Sequence, residues 1–362
     1  MTVNSLSSHS YSEIMLKSLP LGIQTFEKII KNDYLYVDKT KEIFRLLSHS
    51  SSYYFLSRPR RFGKSLLVST LKSLFLGQQE LFKDLWIYNQ IEWKIHPVIH
   101  LDFSLLNFET PQDLKENLAT KMTEIANSYG IKLKSKKNYK NVFEELLQRL
   151  AEKNKVVILV DEYDKPIIDF IDKQEIALEN RTILKNFHEV IKGSDPYIQF
   201  VFLTGVSKFA RVSVFSGLNN LRDITLSQDF ATITGYTETE LQTYFEPYIE
   251  QVAQRLHLKT SELLREIKNW YNGYSWDGEN FVYNPYSILS LLTEKQFDNF
   301  WFTSGTPTFL LKLIKDYEVN VENLEHYETS KNIFESYDID KMQVESLLFQ
   351  TGYLTIQHIK QI

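Results

Sequence analysis

The stretch Arg58-Pro-Arg-Arg-Phe-Gly-Lys-Ser65 ends in the glycine, lysine and serine of a phosphate-binding loop. It lies between an apolar run at 53–56 and a helical pattern that begins at Lys64, the context that such a loop requires. Gly63 lets the backbone approach a phosphate closely. The Lys64 ammonium would reach the β- and γ-phosphates, and the Ser65 hydroxyl would bind Mg²⁺. The stretch by itself leaves a second interpretation open, a chance tripeptide at the end of a strand.

A second strand ends in two acids. Residues 156–160 are continuously apolar and are followed by Asp161 and Glu162. Strands that read this way are covered on both faces, as in parallel α/β sheets, and ligands bind at the carboxyl ends of such strands. Asp161 would hold Mg²⁺ through its water shell, and Glu162 would orient and deprotonate the attacking water. Acids also cap strands without any chemical role, but the combination with Gly-Lys-Ser favours a nucleotide site.

A third apolar strand, 198–203, is followed by two hydroxyl side chains and further arginines. Either Thr204 or Ser207 would be placed to sense a γ-phosphate, and an ordinary strand-to-turn transition is the alternative for each. A cation that stabilises the transferring phosphoryl group could come from Arg60, Arg61, Arg211 or Arg222, within the chain or from a neighbouring subunit. Each of these arginines also fits the commoner description of a surface residue. The three arginines of the loop, Arg58, Arg60 and Arg61, would put extra positive charge beside the phosphates.

The order of elements predicts the fold class. Strands alternate with helices up to about residue 229, which predicts an α/β fold, a doubly wound parallel sheet sandwiched by helices. Further helical stretches, among them 237–244, 246–256 and 307–314, surround Trp276-Asp277-Gly278-Glu279, in which Asp-Gly is a hairpin signal. The expected organisation is a flexible segment at 1–19, a nucleotide-binding domain at 20–230, a mostly helical lid or winged-helix domain at 231–340 and the start of a linker at 341–362. A helix and a terminal strand are expected at 344–356.

Composition narrows the class of protein. The 362 residues carry a net charge of −5, with 43% hydrophobic and 24% charged residues, as in an ordinary soluble globular protein. No run of 18 apolar residues predicts a membrane span, and the chain has no cysteine for disulfides or thiolate chemistry. The acidic balance argues against binding of polyanions by the chain as a whole. We therefore expect a cytoplasmic protein with no membrane partner.

The wider pattern resembles the AAA-ATPase-like family of bacterial proteins, which often carry a C-terminal PD-(D/E)XK-type nuclease domain. The matching stretches, which extend over about 20–315, are Leu21-Gly-Ile-Gln-Thr-Phe26, Tyr36-Val-Asp-Lys-Thr40, Arg58-Pro-Arg-Arg-Phe-Gly-Lys-Ser65, Asp161-Glu-Tyr-Asp-Lys-Pro166, Thr204-Gly-Val-Ser207, Phe215-Ser-Gly-Leu-Asn-Asn220, Asp223-Ile-Thr225, Gly235-Tyr-Thr-Glu238, Trp270-Tyr-Asn-Gly-Tyr274 and Asn284-Pro285. The resemblance implies an additional-strand P-loop ATPase core of the ASCE type, a lid or winged-helix domain, and ATP and Mg²⁺ as cofactors. A phosphate-binding loop usually begins with a glycine, and Arg58 occupies that position here. The resemblance implies that an arginine-rich loop of this form is normal for the family.

The motifs and the resemblance together give an expected set of site residues. The nucleotide-binding set is Arg58, Pro59, Arg60, Arg61, Phe62, Gly63, Lys64, Ser65 and Leu66, with Tyr36 added from the segment that touches adenine in related ATPases. The expected catalytic residues are Lys64, Arg61, Glu162 and Thr204, and the expected metal ligands are Ser65 and Asp161. For Tyr36, and for its neighbours Gly22 and Phe26, a packing role is the alternative interpretation.

Three functions fit these motifs. The leading hypothesis is Mg²⁺-dependent binding and hydrolysis of ATP, linked to DNA processing through the family's usual nuclease domain. The alternatives are a nucleotide-gated switch with little turnover and a small-molecule kinase, which the helical tail fits poorly. A homo-oligomer and a DNA or protein partner are left open. No Asp…Glu-x-Lys core follows Thr351-Gly-Tyr-Leu-Thr-Ile356, so we expect no nuclease activity from residues 1–362.

Overall fold

A five-stranded parallel sheet forms the centre of the computed structural model. The residues described are 16–208, 218, 220–305, 324, 327–330 and 344–360. The strands are β1 Tyr53–Ser57, β2 Val98–Asp102, β3 Val156–Asp161, β4 Ile198–Gly205 and β5 Arg222–Asp223. Their order is β2-β3-β4-β1-β5, and all neighbours are parallel. The predicted α/β class is confirmed, and the position of β4 between β1 and β3 is consistent with an additional-strand P-loop core.

Helices cover both faces of this sheet. The α-helices are α1 Phe26–Lys31, α2 Thr40–Ser48, α3 Lys64–Phe75, α4 Pro111–Ser128, α5 Tyr139–Ala151, α6 Lys165–Ile168, α7 Gln174–Gly193, α8 Glu238–Leu256, α9 Thr260–Tyr271, α10 Pro285–Glu294, α11 Phe300–Gly305 and α12 Val344–Thr351. Short 3₁₀ helices lie at Gln79–Phe82, Trp86–Asn89, Phe103–Leu105, Asp195–Tyr197 and Gln228–Phe230. The first three α-helices pack on one face, and α4, α5 and α7 pack on the other. Within the described ranges, no helix is long and apolar enough to cross a membrane.

Capping explains the start of α4, and packing explains why α8 is continuous. Helix α4 begins at Pro111 because Thr110 and Asp113 form a capping box and proline is favoured at the first helical position. The helices predicted at 237–244 and 246–256 are instead one helix, α8, with Pro247 inside it. Its buried face continues from Phe245 to Ile249, so packing on both sides of the proline outweighs the lost backbone hydrogen bond.

The helical region after the sheet has its own apolar cluster. Side chains of α8, α9 and α10 pack together with Leu19, Leu35 and Val37 from the segment before α2. A mostly buried ion pair between Lys39 and Glu240, with 2.6 Å between Nζ and Oε2, joins the same two parts of the chain. The assignment of this region as a lid or winged-helix domain stays a prediction, and the helix expected at 307–314 lies outside the described residues.

Helix α12 is packed against the part of the molecule that contains the sheet. Val344, Leu347 and Leu348 are buried in the same apolar cluster as β1, β3 and β4. Gln350 accepts a hydrogen bond from the Lys208 amide at 2.8 Å, and a Cβ atom added at Gly352 would lie 2.9 Å from Pro59. Helix α12 is therefore part of the packed structure, and the terminal strand expected at 344–356 is not found within the described range 344–360. The assignment of 341–362 as the start of a linker stays a prediction.

We predict that Leu347→Ala lowers the free energy of unfolding by about 2–5 kcal/mol, because it opens a cavity in the main core. The matched control is Glu345→Ala in the same helix, where the side chain is partly exposed and the change should stay within about 0.5 kcal/mol. Urea denaturation of both variants measures the difference. Equal stability of the two variants would mean that α12 is not part of the core.

Candidate functional site

Three adjacent parallel strands bring the predicted site residues to one edge of the sheet. In the strand register, Leu56 of β1 lies opposite Thr204 of β4, and β4 is paired on its other side with β3, which ends at Asp161. The Thr204 hydroxyl donates a hydrogen bond to Asp161 Oδ1 at 2.5 Å, and the Glu162 amide donates to the same oxygen at 3.1 Å. The expected metal ligand and the expected sensor threonine are therefore in direct contact.

The loop after β1 closes around the Lys64 ammonium. Gly63 has a φ of 85° and Arg61 a φ of 67°, so two left-handed residues bend the chain into the start of α3. The ammonium donates hydrogen bonds of 2.9 Å to the carbonyl oxygens of Arg58 and Pro59. Burial lowers the pKa of Lys64, and the nearby carboxylate of Asp161 acts against that shift. A buried cation thus lies where the phosphate-binding pattern predicts one.

Arg58 anchors the loop in the interior. Its fully buried guanidinium donates hydrogen bonds to the carbonyls of Ser57, Thr225 and Phe230 at 2.8–3.2 Å. The guanidinium carbon also lies 3.9 Å from the centre of the Trp276 ring, a cation–π distance. Burial lowers the pKa of Arg58 to about 9. This placement departs from the expectation that the Arg58 charge lies beside phosphates, because backbone carbonyls already hold it.

The other loop side chains differ in what they contact. Phe62 is buried edge-on against Tyr274 and Trp276, with ring centres 4.7 and 5.4 Å apart, which joins the loop to the helical region. Arg61 is exposed, and its guanidinium carbon lies 4.8 Å from the centre of the Tyr286 ring. Arg60 is partly exposed, makes no hydrogen bond or ion pair within the described ranges, and is close enough to lower the pKa of Lys64. Arg60 is therefore the loop arginine whose charge is free beside the lysine.

Glu162, which follows the end of β3, combines an unusual backbone conformation with a partly buried carboxylate. Its φ of 50° is left-handed, a strained conformation for a residue other than glycine. Burial raises the pKa of Glu162, and the charge of Lys64 opposes that rise. No hydrogen bond or ion pair engages its carboxylate within the described part of the chain. The carboxylate is therefore free to accept a proton.

Asp164 is a site residue that the sequence did not single out. Its Oδ2 accepts hydrogen bonds from the Val206 amide and from both the amide and the hydroxyl of Ser207, at 2.6–3.0 Å. Ser207 therefore links the end of β4 to Asp164 in the turn after β3. Of the two hydroxyl side chains at the end of this strand, only Thr204 is bonded to Asp161 among the described residues. Arg222 forms an ion pair of 3.9 Å with Asp229 beyond the other side of β1. Arg211 lies outside the described residues.

The residues present fit a magnesium ion bound together with phosphate. Mg²⁺ usually takes one or two carboxylates along with substrate oxygens and waters rather than an all-protein cage. Among the residues that the structure describes, no group of three His, Asp or Glu side chains could hold a metal alone. Both hydrogen bonds to Asp161 end on Oδ1, and no described residue donates to Oδ2. That oxygen and the partly exposed Ser65 are suitable donors.

An apolar cavity begins beside the loop, at Gly63 and Leu66. Tyr36 is part of its wall and is partly buried, with its hydroxyl oxygen 3.5 Å from Thr70 Oγ1. Phe26 instead packs against Tyr36 and Phe82, with ring centres 5.1 and 4.7 Å apart. The packing interpretation therefore describes Phe26, while Tyr36 borders a space next to the phosphate-binding loop.

Two comparisons relate the chain to known proteins. A family model described as Predicted AAA-ATPase matches residues 20–215, a range that contains the loop and the ends of β3 and β4. The chain is also 41% identical over 350 residues to a protein of Azotobacter chroococcum mcd 1 described as "Uncharacterized protein in vnfD 5'region". That match covers 96% of this chain and 65% of the relative, so the chain spans less than two thirds of the relative's length.

We predict that Arg58→Met lowers the free energy of unfolding by at least about 2 kcal/mol, because three buried carbonyls lose their donor and each unsatisfied group costs about 1–3 kcal/mol. Arg60→Met is the matched control, and its effect should stay within about 0.5 kcal/mol because its side chain is partly exposed and free. Guanidinium denaturation compares the two. If both variants were as stable as the wild type, the anchoring role of Arg58 would be wrong.

Proposed function

The chain belongs to the AAA-ATPase-like family, and from that premise we propose that it binds Mg²⁺-ATP at residues 58–65 and hydrolyses it. The observation that carries the proposal is the meeting of Lys64, Asp161 and Glu162 at the carboxyl edge of three adjacent parallel strands. This edge is where open α/β sheets bind their ligands. A cation for phosphate, a carboxylate for the metal and a second carboxylate for water are the groups that the reaction needs.

Lys64 is proposed to bind the β- and γ-phosphates. Among the described residues, its ammonium donates hydrogen bonds only to two neutral carbonyls, and a phosphate oxygen is a stronger, charged acceptor for the same protons. Because the ammonium is buried, water does not screen its attraction for an anion as it would at the surface. The amides at the start of α3 add a positive field at the same place.

Asp161 and Ser65 are the proposed holders of the magnesium ion, which when bound would neutralise charge on the phosphates. Thr204 fixes the orientation of the Asp161 carboxylate through its hydrogen bond to Oδ1. The backbone carbonyl of Thr204 also accepts a hydrogen bond from the Tyr163 amide at 3.0 Å, which joins the end of β4 to the residues after β3. The carboxylate is thus held in one orientation before any ligand arrives.

Glu162 is the proposed general base. A base works best when its pKa approaches the working pH, and burial raises the pKa of Glu162 in that direction. Its free carboxylate would take a proton from water as that water attacks the γ-phosphate. Arg60 is proposed to stabilise the charge that develops, because it is the loop arginine that stays free beside Lys64. An arginine from a second copy in a homo-oligomer is the other source of such a charge.

We expect Glu162→Gln to lower the rate of phosphate release by about 10²–10⁴-fold while ATP binding is kept, because only the proton acceptor is lost. Glu152→Gln, at an exposed position after α5, is the matched control and should turn over ATP like the wild type. Phosphate release and ATP binding are measured on the same preparations.

Each outcome of this experiment has one meaning. Wild-type protein that binds ATP but releases phosphate no faster than Glu162→Gln is a nucleotide-gated switch with little turnover. Wild-type protein that does not bind ATP would overturn the proposal altogether.

A further inference from the structure

Several separate parts of the chain form the wall of the cavity beside the loop. The segment before α2 contributes Tyr36 and Val37, the start of α3 contributes Gly63 and Leu66, and the start of the helical region contributes residues 233–236. Apolar and aromatic side chains dominate this wall. Because Gly63 directly precedes Lys64, a nucleotide whose phosphates lie at Lys64 has its base within reach of the cavity. A flat, largely apolar ring suits such walls.

Thr234 lies in the wall with an unused hydroxyl. Its side chain is only 4% exposed, and Oγ1 has no hydrogen-bond partner among the described residues. A buried hydroxyl without a partner costs free energy, and buried polar groups in folded proteins are nearly always paired. A hydroxyl can donate one hydrogen bond and accept others, so it can pair with either kind of group on a ring edge.

The backbone on the carboxyl side of Thr234 is fixed by pairing and close packing. Tyr236 and Tyr283 exchange two backbone hydrogen bonds of 2.7 and 3.1 Å. Gly235 has a φ of 81°, and a Cβ atom there would lie 2.7 Å from Val282. The neighbouring Thr232 carbonyl already accepts a hydrogen bond from Lys39. These neighbouring backbone groups are thus occupied, while the hydroxyl of Thr234, a residue of the cavity wall, has no partner among the described residues.

We propose that the Thr234 hydroxyl hydrogen-bonds to the polar ring edge of a nucleobase held in this cavity. The inference rests on the proposed function and deepens it, because it assigns the residue that distinguishes a nucleotide from a bare polyphosphate. The apolar walls would hold the faces of the base, and Thr234 would fix its orientation. A few polar groups in an apolar pocket commonly have this task.

The test compares Thr234→Val, which removes the hydroxyl at nearly constant shape, with Thr234→Ser, which keeps it. Binding of a non-hydrolysable ATP analogue and of inorganic tripolyphosphate is measured by calorimetry on the full chain. Thr234→Val should bind the ATP analogue about tenfold more weakly than the wild type, as expected for one lost hydrogen bond. Its affinity for tripolyphosphate should be unchanged, and Thr234→Ser should bind the analogue like the wild type.

Three results would count against the inference, and they differ in what else they reject. Unchanged binding of the analogue by Thr234→Val overturns the role of the hydroxyl while leaving the nucleotide site intact. An equal loss for analogue and tripolyphosphate means that the substitution disturbs the phosphate loop, and it overturns base recognition by Thr234. Absence of analogue binding by the wild type rejects the proposed function itself.

Discussion

The pairing of β4 with β1 on one side and β3 on the other is the constraint on which the site depends. Parallel strands present their carboxyl ends at one edge, so this pairing brings the ends of three distant segments together. The backbone continues the junction beyond the strands, since the Arg58 amide donates to the Gly205 carbonyl at 3.2 Å. The Ser57 hydroxyl also donates to the Val206 carbonyl. The loop that holds Lys64 therefore begins from a backbone position fixed by β4.

The loop is also held from the other side, by the part of the chain that follows the sheet. Trp276 contacts both Arg58 and Phe62, and Tyr286 faces Arg61. Gly352, just after α12, approaches Pro59 closely. Aromatic and cation–π contacts depend on close approach. A change in the shape of the loop would therefore alter the contacts made by residues 274–286 and by the chain near 352. The loop at residues 58–65 is thus packed between the sheet and the helical region.

Much of this arrangement could be predicted from local patterns. The continuous apolar run of β3, the capping box of α4 and the Gly-Lys-Ser of the loop each contain their own signal within a few residues. Other features had no such signal. The two residues of β5 are too few to show a period, and the carbonyls of Thr225 and Phe230 that hold Arg58 lie 167 and 172 residues away from it. An arginine in a phosphate loop is read from sequence as a phosphate contact, and only the packing reveals an anchor.

The same limit applies to the cavity beside the loop. Analogy with related ATPases predicts that the Tyr36 segment lies near the base of the nucleotide. That residues 233–236 form part of the same cavity wall depends on how the helical region packs against this segment. That fold is supported by the Lys39–Glu240 ion pair and by the short pairing of Tyr236 with Tyr283. Neither contact has a periodic signature in sequence, because each joins positions far apart in the chain.

The central claim is that residues 58–65 form a nucleotide-binding site, and calorimetric titration of Mg²⁺-ATP into Lys64→Ala tests it most directly. The wild type should bind one equivalent saturably, and Lys64→Ala should bind about 10- to 100-fold more weakly, because charged hydrogen bonds to phosphate are lost. Lys83→Ala, at an exposed position after α3, should bind like the wild type. Equal affinity of Lys64→Ala and wild type, or no saturable binding by the wild type, would contradict the account.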